Sequence, residues 1–137
     1  MDPDVARLVR EERLVEAAEL ASSRGDVRTA SQLFERACDF RRAAEHAIKA
    51  HDWARALPLA LEGKSEELAE VAFPKLVVDH SLAERTAFHL DRRGDHGWAG
   101  RLLEGVGKKA EAARQYERAG DAIEAAALLE AAGDVIG

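Results

Sequence analysis

Three stretches decide how this chain folds: Gly25-Asp26-Val27-Arg28-Thr29-Ala30, Gly107-Lys108-Lys109-Ala110-Glu111-Ala112 and Gly120-Asp121-Ala122-Ile123-Glu124-Ala125. They are variants of one phrase. The chain can be written in blocks of 13 that start at residues 12, 25, 38, 51 and 64, then at 81, 94, 107 and 120. Position 6 of these blocks holds Ala17, Ala30, Ala43, Ala56, Ala69, Thr86, Ala99, Ala112 and Ala125. Eight alanines in nine blocks far exceeds chance in a 137-residue chain with 28 Ala. The second series is offset by four residues, inserted between about Leu76 and Ser81. The expected organisation is a single helical-repeat domain, 1–137, with blocks over 12–76 and 81–137 and the insertion at about 77–80.

A period of 13 does not fit one continuous helix. At about 100° per residue, 13 residues leave about 220° over, so successive alanines would face different ways. The chain must break once per block. Position 1 is Gly25, Cys38, His51, Lys64, Gly94, Gly107, Gly120 and Gly133, and position 2 is Asp26, Asp39, Asp52, Ser65, Asp95, Lys108, Asp121 and Asp134. Glycine past a helix end accepts the left-handed backbone that terminates it, and Asp or Ser caps the first amides of the next. Gly-Asp is therefore a two-residue joint, and Cys38 and His51 read as substitutions within it. Joints this short favour antiparallel neighbours.

Within a block, positions 3, 6, 7, 9, 10 and 13 fall within an arc of about 160° and are mostly apolar; positions 4, 5, 8, 11 and 12 carry most of the Arg, Glu and Lys. The pattern predicts nine helices: a long first one over about 4–23, then 27–37, 40–50, 53–62, 66–76, 82–93, 96–105, 109–119 and 122–132. The start at 82 rests on the capping box Ser81-Leu82-Ala83-Glu84. Pro58 and Pro74 are expected to kink or shorten their helices, and Gly97, Gly100 and Gly105 to weaken theirs. Few aromatics and many strong helix formers agree with an all-α chain.

The phrases Gln32-Leu33-Phe34-Glu35-Arg36-Ala37-Cys38-Asp39-Phe40-Arg41-Arg42-Ala43-Ala44 and Gln115-Tyr116-Glu117-Arg118-Ala119-Gly120-Asp121-Ala122-Ile123-Glu124-Ala125-Ala126 resemble tetratricopeptide-like α-solenoids, in particular the short helical hairpins of coat and transport-complex scaffolds. The likeness covers about residues 12–134. Two blocks make 26 residues rather than 34, and the Trp–Leu-Gly–Tyr spacing of true tetratricopeptide repeats is missing. The resemblance implies an all-α, right-handed α-solenoid of short antiparallel helices that serves as a scaffold or adaptor docking other proteins or peptides.

Composition narrows the function further. Net charge is −6, so the usual basic nucleic-acid footprint is missing and no nucleic-acid partner is expected. No apolar run of about 18 residues predicts membrane insertion, and Met1-Asp2-Pro3-Asp4 does not read as a secretory signal. The expected location is the cytoplasm, and 15 Arg against 5 Lys points to a bacterial source. One cysteine excludes an intrachain disulfide. His46 and His51 lack the i,i+4 spacing of a helical metal site, and His80, His89 and His96 match no ligand pattern. No Walker loop, nucleophile elbow or dinucleotide fingerprint occurs, so the chain reads as a non-enzyme without cofactor or metal. The competing class is an enzyme or ligand-binding helical domain with His80, His89 and His96 near a pocket.

Departures from the repeat carry the remaining signal. Pro58, Leu61, Leu68, Val71, Phe88 and Trp98 are apolar at positions that are polar in other blocks, and Val77 and Val78 lie in the insertion. Burial between neighbouring helices is one reading. The other is a partner-binding patch of Trp98, Phe88 and Val71 with Arg92, Arg93 and Arg101 as its rim. Gly133-Asp134-Val135-Ile136-Gly137 opens a tenth block and stops, so that end is expected to be covered by more of a longer repeat protein or by a second copy in a homo-oligomer.

Overall fold

The computed structural model describes residues 1–131 and Gly133. Among them are ten helices and no strand: α1 (Pro3–Arg10), α2 (Leu14–Ser23), α3 (Val27–Arg36), α4 (Phe40–Lys49), α5 (Trp53–Glu62), α6 (Glu66–Val77), α7 (His80–Arg93), α8 (His96–Gly105), α9 (Lys109–Arg118) and α10 (Ala122–Ala131). The chain divides into two compact units, Met1–Phe73 and Pro74–Gly137. The division falls inside α6, just before the four-residue insertion. In the first unit α1 to α5 each pack on the next; in the second, α7 to α10 do the same. This is the packing of a helical repeat.

One joint recurs. At Glu12, Gly25, Cys38, His51, Lys64, Gly94, Gly107 and Gly120 the backbone is left-handed, with φ between 55° and 90°. The amide of the following residue reaches back to the carbonyl of block position 10. Asp26 bonds Ala21 at 2.9 Å, Asp39 bonds Phe34 at 2.8 Å, and Asp121 bonds Tyr116 at 2.8 Å. The amide of the left-handed residue bonds the carbonyl one residue further on, as Gly25 does to Ser22 at 3.0 Å. Together these form a Schellman motif that satisfies the carbonyls a helix end would otherwise orphan. The residue closing the motif also opens the next helix. Side-chain oxygens of Asp26, Asp39, Ser65 and Asp121 accept from amides three residues on, at 3.1 to 3.3 Å. The Thr29 bond holds the Asp26 carboxyl below its ordinary value.

The joint explains why Cys38 and His51 stand where glycine stands elsewhere. Both adopt the glycine conformation, at φ 60° and 57°. It also corrects the first helix, which is not continuous over 4–23. Glu12 occupies position 1 at φ 59° and separates α1 from α2, although Arg13 makes no side-chain cap. The hydrogen bonds of the joint form there regardless, with the Arg13 amide 2.9 Å from the Leu8 carbonyl. The fresh start after the insertion is also two residues early. Asp79, not Ser81, caps α7, accepting from the Leu82 amide at 3.1 Å. The chain lacks a joint at position 77 because Val77 replaces glycine. A β-branched residue resists the left-handed region, so α6 runs on to Val77. Pro58 and Pro74 lie inside α5 and α6 without shortening them.

Position 6 is the centre of packing. Ala17, Ala30, Ala43, Ala56, Ala69, Ala99 and Ala112 are all fully buried, as are Thr86 and Ala125 to within a few per cent. Small side chains there let helix backbones approach closely. Position 10 is buried in every joint that closes, from Leu8 through Phe34 and Leu90 to Tyr116. The same residue thus fills the core and accepts the closing hydrogen bond. Ala43→Leu should cost roughly 1–3 kcal/mol by overpacking, and Ala125→Leu should do the same. Urea denaturation of both variants checks this; unchanged midpoints would show that position 6 has room to spare.

Candidate functional site

The second unit carries a groove of about 280 Å³ between α7 and α9, floored by Leu103 of α8. Glu84, Ala87, Phe88 and Asp91 form the α7 wall, and Glu111, Arg114, Gln115 and Arg118 form the α9 wall. Phe88 is 63% exposed, the most exposed aromatic among the large apolar side chains that face solvent. A phenyl ring left in water at the lip of a groove forgoes roughly 1.5–3 kcal/mol of burial, so a partner that covers it gains most of that term.

One edge of the groove is fixed by a polar cluster. Arg118 Nη1 donates to Asp91 Oδ1 at 2.8 Å. His96 Nδ1 stands 3.1 Å from both Asp91 Oδ1 and Gln115 Oε1. Both are acceptors, the arrangement that suits a ring tautomer with its hydrogen on Nδ1. Burial alone would raise the Asp91 carboxyl, but hydrogen bonds from Arg118 and Gln115 and the charges of Arg118 and His96 outweigh it. The carboxyl lies below its ordinary value. At the other edge Lys108 Nζ lies 3.8 Å from Glu84.

Tyr116 anchors α9 on α8. Its ring lies against Gly100, where an added Cβ would come within 3.1 Å of the ring carbons. Its hydroxyl donates to Glu104 at 2.9 Å. Burial and that carboxylate push the phenol well above its usual range. Gly100 therefore has a packing reason, whereas Gly97 has open space around it.

The residues singled out from sequence distribute as follows. Phe88 lines the groove. Arg92 lies beside it, its guanidinium 5.9 Å from the ring centroid. Trp98 is half-buried on α8 and is not part of the groove wall; Arg101 stacks on its indole at 4.3 Å. Arg93 pairs with Asp95 at 3.3 Å. Val71 is exposed on α6, in the first unit's part of that helix. Glu84 and Glu111 also belong to the groove, and sequence reading missed them because acids at polar positions look ordinary.

The histidines are separate from one another in role. His46 is buried, with Nδ1 2.8 Å from the Arg42 carbonyl and Nε2 2.8 Å from Ser22 Oγ. His51 stacks on Trp53 at the α4–α5 joint. His80 and His89 are exposed on α7. Among the described residues no group of three or more His, Cys, Asp or Glu is arranged to hold a metal ion. No described helix is long and apolar enough to cross a membrane. The chain matches no protein-family model, no curated protein sequence and no solved structure.

The two α8 glycines give a paired expectation. Gly97→Ala should raise stability by about 0.5–1 kcal/mol, the usual difference inside a helix. Gly100→Ala should forfeit that gain because the methyl displaces Tyr116. Denaturant midpoints that rise equally in both would show that the Tyr116 contact is loose.

Proposed function

We propose that this chain is a tetratricopeptide-like protein-interaction module, an adaptor or scaffold without catalytic activity, and that it works in the cytoplasm of a bacterium. Its partner is another protein or peptide, docked along α7 and α9. The observation that carries the reading is Phe88, an aromatic side chain 63% exposed at the lip of the α7–α9 groove. Exposed aromatics flanked by charged side chains are the anchors around which protein interfaces are built, and charged rims set orientation and encounter rate more than affinity. Blocks with Arg, Glu or Gln at the same position leave no such anchor.

A second reading is favoured by α10. Ile123 is 83% exposed there, and Ala122, Ala126 and Ala127 beside it also face solvent. A second copy covering that face would make the chain a self-assembling unit.

Both readings are open to one experiment. A photo-crosslinking amino acid is placed at residue 88, at 123, or at the exposed position 36 as a control, in the full chain expressed in bacterial cells. The docking reading expects a discrete adduct with another protein from 88 and none from 36. Adducts from 88 that match the control in amount and pattern would remove it. A dimer-sized adduct from 123 alone would favour self-assembly.

A further inference from the structure

The same set of block positions that forms the α7–α9 groove also occurs inside the first unit, and there it is filled. Between α3 and α5 the corresponding walls are Arg28, Ser31 and Gln32, with Ala47 as floor and Arg55 opposite; the space left is about 20 Å³. Arg55 fills it, donating to Glu35 at 2.9 Å and to Ser31 Oγ at 3.3 Å. Between α2 and α4 the block equivalent of Arg55 is Arg42. Its guanidinium lies 4.5 Å over the Phe34 ring and 3.8 Å from Glu19. In both places an arginine at block position 5 reaches the helix two before its own, Arg55 filling the space there and Arg42 reaching Glu19 while its closest bond is to Asp39 of its own cap at 2.6 Å.

At α9 that position is Glu111. Position 4 of α7 is Glu84 where α3 has Arg28, and position 8 is Phe88 where α2 has Glu19 and α3 has Gln32. Arg118, at position 12, reaches the α7 acid Asp91 instead, while position 5 offers no guanidinium, and two carboxylates and an exposed ring stand around the space that Arg55 fills in the first unit. The walls hold Glu84, Asp91 and Glu111 with Arg114 and Arg118, and Lys108 at the edge pairs with Glu84 at 3.8 Å, so Glu111 is the wall carboxylate left for a ligand. Asp91 is committed to Arg118 and His96.

We infer that the α7–α9 groove takes a basic side chain, arginine in preference to lysine, presented by a partner peptide. The guanidinium stacks on Phe88 and pairs with Glu111, with Glu84 turned to it from the 3.8 Å contact with Lys108, supplying from outside what Arg55 supplies within the first unit. A planar guanidinium suits the site better than an ammonium because it stacks on a ring while its edges donate to carboxylates. The inference rests on the docking reading and adds the chemistry of the ligand.

The test uses the purified full chain, labelled with 15N, titrated at millimolar concentration with N-acetyl-arginine amide and with its neutral citrulline counterpart. The expected result is amide shifts confined to α7 and α9 with the arginine compound and none with citrulline. Glu111→Arg, which refills the groove from within, should weaken the response about tenfold or more, and Phe88→Ala should weaken it as well. Glu111→Gln is the milder variant if circular dichroism shows that Glu111→Arg does not fold. Equal shifts from both compounds, shifts spread over the surface, no shifts, or a response unchanged in the position-111 variants would each overturn the inference. The crosslink at position 88 is read separately. A partner adduct there with no arginine response leaves the docking reading standing and removes only the arginine ligand, and a dimer adduct from 88 would make the occupant a second copy.

Discussion

Within each unit the short helices hold together because each joint satisfies the end of one and the start of the next with the same two residues. The left-handed residue at position 1 turns the chain. The amide at position 2 then closes a six-residue ring onto the position 10 carbonyl, and that position 10 side chain sits in the core. Helices of about ten residues are marginal alone, because nucleating each costs more than its few hydrogen bonds return. Shared joints and fully buried position 6 alanines make neighbours depend on one another, the energetic pattern of repeat proteins. Where the joint is absent, at Val77, the period slips by four residues and α6 lengthens.

Most of this architecture was legible because its signals are local. Glycine before aspartate has one obvious use, and alanine every 13 residues with apolar neighbours at helical spacing defines the buried face. Glu12 was not legible. A charged residue at a left-handed position carries no warning in its own chemistry, and its place was fixed only by continuing the 13-residue count one block earlier. Asp79 was obscured by Ser81 and Glu84, which form a convincing capping box two residues later. Gly100 read as a weakness in α8 until Tyr116, sixteen residues on, supplied the contact that needs it.

The groove shows the same division. Phe88 stood out because it breaks the polar pattern of its block position. Glu84 and Glu111 did not, since an acid on a polar face is unremarkable. Their meaning comes from pairing between a helix and the one two further on, which closes around Arg42 and Arg55 in the first unit. Trp98 stood out equally in sequence, yet Arg101 covers its ring and it lies outside the groove. An aromatic out of pattern marks a place to look; the charges facing it decide what it can bind.

The left-handed joint is the claim on which the account turns, and two positions test it by sign. Cys38 and Lys64 are exposed L-residues held at φ 60° and 55°. A left-handed L-residue costs roughly 1–2 kcal/mol, while glycine in an ordinary helical position loses about 0.5–1 kcal/mol against alanine. The measurement is the urea midpoint of Cys38→Gly and Lys64→Gly against the parent chain. The account predicts that both variants are more stable. Midpoints that fall would mean that these residues are not left-handed and that the joint is not the element the repeat is built on.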